Sequence, residues 1–143
     1  MTQETHTPTI AIVAEDLLAT LLHDWLTPAG YQVVHIHHES VPMVHWQHPA
    51  ADLLIGELCH PTAARVRQLA HVRVSACRQE SPLLMLGPPT TLAITDLPPG
   101  TAWMATPVDQ TSLLAMVRDL LALAPHVDTG HATTRRGAGS LLQ

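Results

Sequence analysis

Two spacings of apolar residues take turns along this chain. Ile10-Ala11-Ile12-Val13 is a short uninterrupted run, and from Asp16 the spacing turns helical, with Leu17, Leu18, Leu21, Leu22, Trp25 and Leu26 predicted to fill one face. Thr27-Pro28-Ala29-Gly30 breaks that helix, and Tyr31-Gln32-Val33-Val34-His35-Ile36 reads as the next strand. Ser40 to Gln47 carries a weaker helical pattern on Val41, Val44 and Trp46, with Pro42 near its start, where proline is tolerated. A third strand is expected over Asp52 to Glu57, inside the apolar run Ala51 to Leu58. After Pro61, the residues Ala63, Ala64, Val66, Leu69 and Ala70 predict a helix to about Val74. Leu83-Leu84-Met85-Leu86 forms a fourth strand, closed by Gly87-Pro88-Pro89 because proline has no donor for a ladder. Ala102 to Ala105 makes a short fifth strand. Leu113, Leu114, Met116, Val117, Leu120, Leu121 and Leu123 make a last helix, capped by Asp109 or Thr111.

Short apolar strands alternating with helices are the signature of right-handed βαβ units and a parallel sheet. The predicted architecture is α/β, a three-layer sandwich with a five-stranded parallel sheet in the flavodoxin-like order 2-1-3-4-5. A chain of 143 residues suits one domain. That domain is placed at 9–124, after a Thr-rich lead over 1–8 that is expected to fray. The segment 125–143, with Gly130, Gly137, Gly139 and Arg135-Arg136, has no periodicity and is expected to be disordered.

Composition narrows the classes. Hydrophobic residues make up 46% and charged residues only 13%, which fits strands covered on both faces. Seven basic residues against twelve acidic ones, a formal charge of −5, argue against a nucleic-acid surface, because phosphate contacts need clustered Lys and Arg. No apolar stretch approaches the roughly 20 residues that span a bilayer, so no membrane role is expected. Cys59 and Cys77 lie outside any paired-ligand spacing and no secretory leader opens the chain, so the expected location is cytoplasmic.

The candidate chemistry is acidic. The first run ends at Glu15 and Asp16 and the third strand ends at Glu57; parallel neighbours would aim these carboxylates at one spot. Such a pocket either holds a residual magnesium ion, raises the pKa of one of its carboxylates, or is stabilised by a local donor. His35, His37, His38, His45, His48 and His60 offer imidazoles for zinc or copper, yet no pair has the short spacing of a structural zinc site, and solvated loops explain them as well. Cys59 follows Glu57 closely, and neighbouring carboxylates would blunt its thiol. No Gly-rich phosphate loop follows Val13, so a dinucleotide site has no motif to rest on.

Three stretches carry a family likeness: Ile10-Ala11-Ile12-Val13-Ala14-Glu15-Asp16, Ala29-Gly30-Tyr31-Gln32-Val33, and Ala51 to Leu58. Met104-Ala105-Thr106-Pro107-Val108-Asp109, followed by Leu113-Leu114, adds a fourth. Over Thr9 to Ala124 the chain resembles the CheY-like receiver domains of response regulators in two-component signalling. In that family a strand-3 aspartate is the nucleophile toward a phosphoryl donor, acidic residues hold magnesium, and a strand-4 hydroxyl and a strand-5 lysine contact the phosphoryl group. The resemblance puts Glu57 at the phosphoacceptor position and Ala14 and Glu15 at the acidic pair, with Asp16 adjacent. Gly87 falls at the hydroxyl position and Thr106 at the lysine position.

Phosphoryl transfer depends on an in-line nucleophile and neutralised charge, so these replacements imply the fold without its switch chemistry. Trp103 stands where the family often has an aromatic residue that changes rotamer on activation; it is either a half-buried anchor or part of a partner surface. Thr90 to Gly100, with Pro98-Pro99, is short for the helix the family has there.

The resemblance therefore implies a stand-alone atypical receiver, a pseudo-receiver that is not an enzyme and has no required cofactor, residual magnesium aside. Its expected partners are a histidine kinase, another receiver or an output protein, docked on the face of the fourth helix, fifth strand and last helix, where a homodimer could also form. Two rivals stand beside it. One is a phosphoacceptor using Glu57 or Asp16, and the other is a His-based metal sensor.

Overall fold

β1 (Thr9–Ala14) is buried at all six positions, which explains why its sequence is an apolar run rather than an alternation. It lies between β2 (Gln32–His37) and β3 (Leu53–Glu57), and β4 (Leu83–Gly87) and β5 (Thr101–Ala105) follow outward in the order β2-β1-β3-β4-β5. Every pairing is parallel, with Ile12 level with His35 on one side and Ile55 on the other. This is the expected flavodoxin-like sheet. The computed structural model describes residues 7–37, 50–58, 63–78, 80–89 and 100–123. The helix expected over Ser40 to Gln47, the segment after Pro89 and the tail lie outside the described residues.

The side-chain period of two sends alternate strand residues to opposite faces. Ala11, Val13, Leu54, Leu83 and Met85 form one core with Val66, Leu69, Val72 and Ala76 of α2 (Ala63–Ala76). Ile10, Ile12, Leu53, Ile55, Leu84 and Leu86 form the other, beneath α1 (Asp16–Leu26) and α3 (Gln110–Leu123). The result is the expected three layers.

The helical face predicted for α1 is too wide. Its contact face consists of Leu18, Ala19, Leu22, Trp25 and Leu26, whereas Leu17 is 84% exposed and Leu21 41% exposed. Six apolar residues span more arc than one sheet can cover, so two of them face outward. The turn after α1 is as expected: Tyr31 N–H donates to Leu26 O and Gly30 adopts φ of +102°, which suits a residue without Cβ.

Asp52 does not extend β3. Its N–H donates to Thr9 O, while its carboxylate accepts from Thr9 N–H at 2.8 Å and from Arg78 Nε at 2.7 Å, stapling the lower edge of the sheet. α2 runs two residues past Val74, because Ala76 completes its buried face. The fourth strand also runs further than expected: Gly87 is within β4, paired with Ala105. Asp109 is the cap of α3, its Oδ2 accepting from Ser112 N–H at 2.9 Å, and Thr111 lies inside the first turn.

Candidate functional site

In a parallel sheet all carboxyl ends share one rim. Glu15 follows β1, Glu57 ends β3, Gly87 ends β4 and Thr106 follows β5. The register sets their height: Val13 is level with Gly56, Glu57 with Leu86, and Gly87 with Ala105. The four positions singled out in the sequence therefore share the rim, with Asp16 opening α1 beside Glu15.

Glu57 is half-buried and engaged. Its Oε1 accepts a hydrogen bond from Glu15 N–H at 2.9 Å. Glu15 is the N-cap residue of α1 and gives the helix no side-chain cap, so a carboxylate from β3 meets the helix end where the macrodipole favours negative charge. Of the three readings of the acidic pocket, a local donor is the one with geometry behind it. Arg65, in the first turn of α2, adds a long contact from Nη2 to Glu57 O at 3.5 Å, and its Nη1 donates to Gln68 Oε1 at 3.3 Å.

Gly87 is buried, and the space its side chain would need is taken. A Cβ there would stand 2.5 Å from Leu58 O and 3.2 Å from Cη2 of Trp103. A hydroxyl side chain therefore has no room at this rim position. Thr106 stands at the lysine position; its N–H donates to Gly87 O at 2.8 Å, and it brings no charge. Its peptide bond to Pro107 is cis. Trp103, on the edge strand, packs half-buried against the core beneath α2.

The other candidates gain little from the geometry. His35 Nε2 lies 3.0 Å from Ala14 O, tying β2 to β1. His38, His45, His48, His60 and Cys59 lie outside the described residues, as does the side chain of His37. Among the described residues no three His, Cys, Asp or Glu side chains converge to hold a metal ion. Ala14 brings no donor to the acidic pair, so among the described side chains a magnesium ion at this rim would rest on Glu57, Glu15 and Asp16 alone. Burial pushes the Cys77 thiol up to about 12, which leaves it unreactive. Among the described residues no helix is long and apolar enough to cross a membrane.

Sequence reasoning missed Arg65 and the engagement of Glu57 by Glu15. An arginine three residues into a helix that also carries Arg67 and Arg73 has no distinguishing pattern, and a main-chain donor has none at all.

No protein-family model matches this chain, and no curated protein matches it. Solved structures do. A response regulator from Thermotoga maritima superposes with a TM-score of 0.65 at 15% identity, covering 82% of this chain and 99% of that one. The chemotaxis protein CheY4 of Vibrio cholerae gives 0.60 at 19% identity over 80% of this chain and 99% of its own. A response regulator receiver protein from Sinorhizobium medicae gives 0.62 at 20% identity over 81% and 95%. At such identities the likeness concerns the fold: this chain has the receiver fold.

Proposed function

We propose that this chain is an atypical receiver, a cytoplasmic protein interaction module of two-component signal transduction that works without accepting a phosphoryl group. The observation that carries the reading is the engagement of Glu57. A carboxylate whose Oε1 is held by Glu15 N–H serves as a structural tie between β3 and α1, and that bond orients the carboxylate toward the helix end rather than for in-line attack on phosphorus. Gly87 and Thr106 support the same reading, because neither supplies a hydroxyl-bearing side chain at the end of β4 or a cation at the end of β5. The receiver fold of the solved neighbours supports the signalling context.

In this proposal the partner is a histidine kinase, another receiver or an output protein, meeting the face built from β5 and α3, and two copies of the chain can meet there as well. Trp103, half-buried on the α2 side of β5, borders that face with the part of its ring that stays exposed. The test is incubation with acetyl phosphate and magnesium, followed by intact mass. The unmodified mass is expected, and a phosphoryl adduct mapped to Glu57 or Asp16 would replace this reading with the phosphoacceptor one.

A further inference from the structure

Charge is unevenly spread in this chain. Four of its seven basic residues, and none of its twelve acidic ones, fall within 63–78, and every basic residue is an arginine. Arg65, Arg67 and Arg73 lie on α2, and Arg78 follows just past its end. Arg78 is balanced by Asp52 at 2.7 Å, and Arg65 turns its guanidinium to Glu57 O and Gln68 Oε1. On the side of α2 away from the sheet, Arg67, His71 and Val74 recur at helical spacing and are all exposed, Val74 by 79%. They make a stripe about 10 Å long.

This face works against its own helix. The first turn of α2 has no acidic residue and holds Arg65, where the macrodipole favours negative charge. No Asp or Glu elsewhere in the helix supplies Arg67 or His71 with a counter-charge three or four residues away. Val74 is β-branched, a weak helix former, and it is set in solvent. A face kept only for solvation would mix signs and put a polar residue at 74. Local choices that oppose stability are found where a surface serves something else.

We propose that the outer face of α2 docks a short acidic segment of another protein, with carboxylates on Arg67 and His71 and an apolar side chain on Val74. The planar guanidinium fork matches a carboxylate, and the exposed valine gives the contact an apolar centre. A nucleic acid would bring the same sign of charge. An extended polyanion, however, would also meet the rest of a chain whose formal charge is −5, and its phosphates offer Val74 nothing apolar. α2 covers the opposite side of the sheet from α1 and α3, so this surface is separate from the β5–α3 face and does not depend on what Glu57 does.

The experiment titrates the full chain into a short fluorescent peptide of glutamates and leucines and reads anisotropy at low and physiological salt. A leucine-free peptide and a single-stranded oligonucleotide of equal length run beside it, and amide shifts map the contact. Salt-sensitive binding of the glutamate–leucine peptide is expected, with shifts centred on Arg67, His71 and Val74. Arg67→Glu should weaken it about tenfold or more, since like charges then face each other. The same substitution should leave the urea midpoint unchanged or raise it, because it gives His71 an acidic neighbour one turn away. Val74→Ser should weaken the glutamate–leucine peptide and spare the leucine-free one. Absence of binding, shifts confined to other elements, or an Arg67→Glu chain that binds as well as wild type would overturn the proposal. A leucine-free peptide bound equally well would reduce the face to bare charge, and an oligonucleotide bound more tightly than the peptide would assign it to nucleic acid; either result overturns the acidic protein segment as its occupant.

Discussion

Replacing Glu57 by aspartate keeps the charge and removes one methylene, which makes it a sharp test of what the carboxylate does. The side chain loses one C–C bond of reach, about 1.5 Å. An oxygen now 2.9 Å from Glu15 N–H would fall to roughly 4 Å, outside hydrogen-bond range. A bond to an ionised acceptor contributes about 1.5–3 kcal/mol, and the site lies at the rim, so the lower end applies: about 1.5 kcal/mol including the favourable helix end. Glu57→Ala should cost the same. Glu57→Gln keeps an acceptor at full reach and loses only the charge, for about 0.5–1 kcal/mol. The expected order of stability is therefore wild type, then Gln, then Asp and Ala together. In urea unfolding with a slope of about 2 kcal/mol/M, Asp and Ala should lower the midpoint by about 0.75 M with the slope unchanged. An aspartate variant as stable as wild type, or a glutamine variant as damaged as alanine, would refute the tie.

Three further outcomes follow from the packing. Asp52→Ala should cost about 2–3 kcal/mol in the same assay, because Thr9 N–H loses an ionised acceptor in a side chain only 14% exposed; Arg78→Ala, whose own side chain is 49% exposed, should cost under about 1 kcal/mol. The backbone N–H of Ser112, and then its hydroxyl, hold the Asp109 carboxyl below the ordinary aspartate value. Its contribution is thus complete above that ordinary value and is lost as pH falls through the lower folded one. Melting temperatures across the acid range should show Asp109→Asn losing this dependence. Leu22→Ala, fully buried, should cost about 2–5 kcal/mol by thermal or urea unfolding, while Leu17→Ala should stay within about 0.5 kcal/mol.

Much of the fold was legible because a strand covered on both faces must be apolar throughout. Ile10 to Val13 and Leu83 to Leu86 announce themselves, and their ends were misplaced by only a residue or two. Where the reading failed, a contact across the sheet had decided the outcome. Asp52 leaves β3 with its carboxylate held by Thr9 N–H on one oxygen and Arg78 on the other, and Leu17 and Leu21 face solvent because the sheet beneath α1 has a limited width. The rim residues Glu15, Glu57, Gly87 and Thr106 could be named in advance, since parallel strands bring their carboxyl ends to one side. What each one does there could not.

By itself the sequence determined the order of elements, the parallel sheet and the chemical identity of the rim, because hydrophobic period and strand polarity are local properties. Tertiary structure decided the rest. It put Glu15 N–H within reach of Glu57, and it closed Leu58 O and Trp103 over Gly87. These contacts join residues some 15 to 40 positions apart, and no local pattern encodes them, since they exist only once the strands have been set side by side.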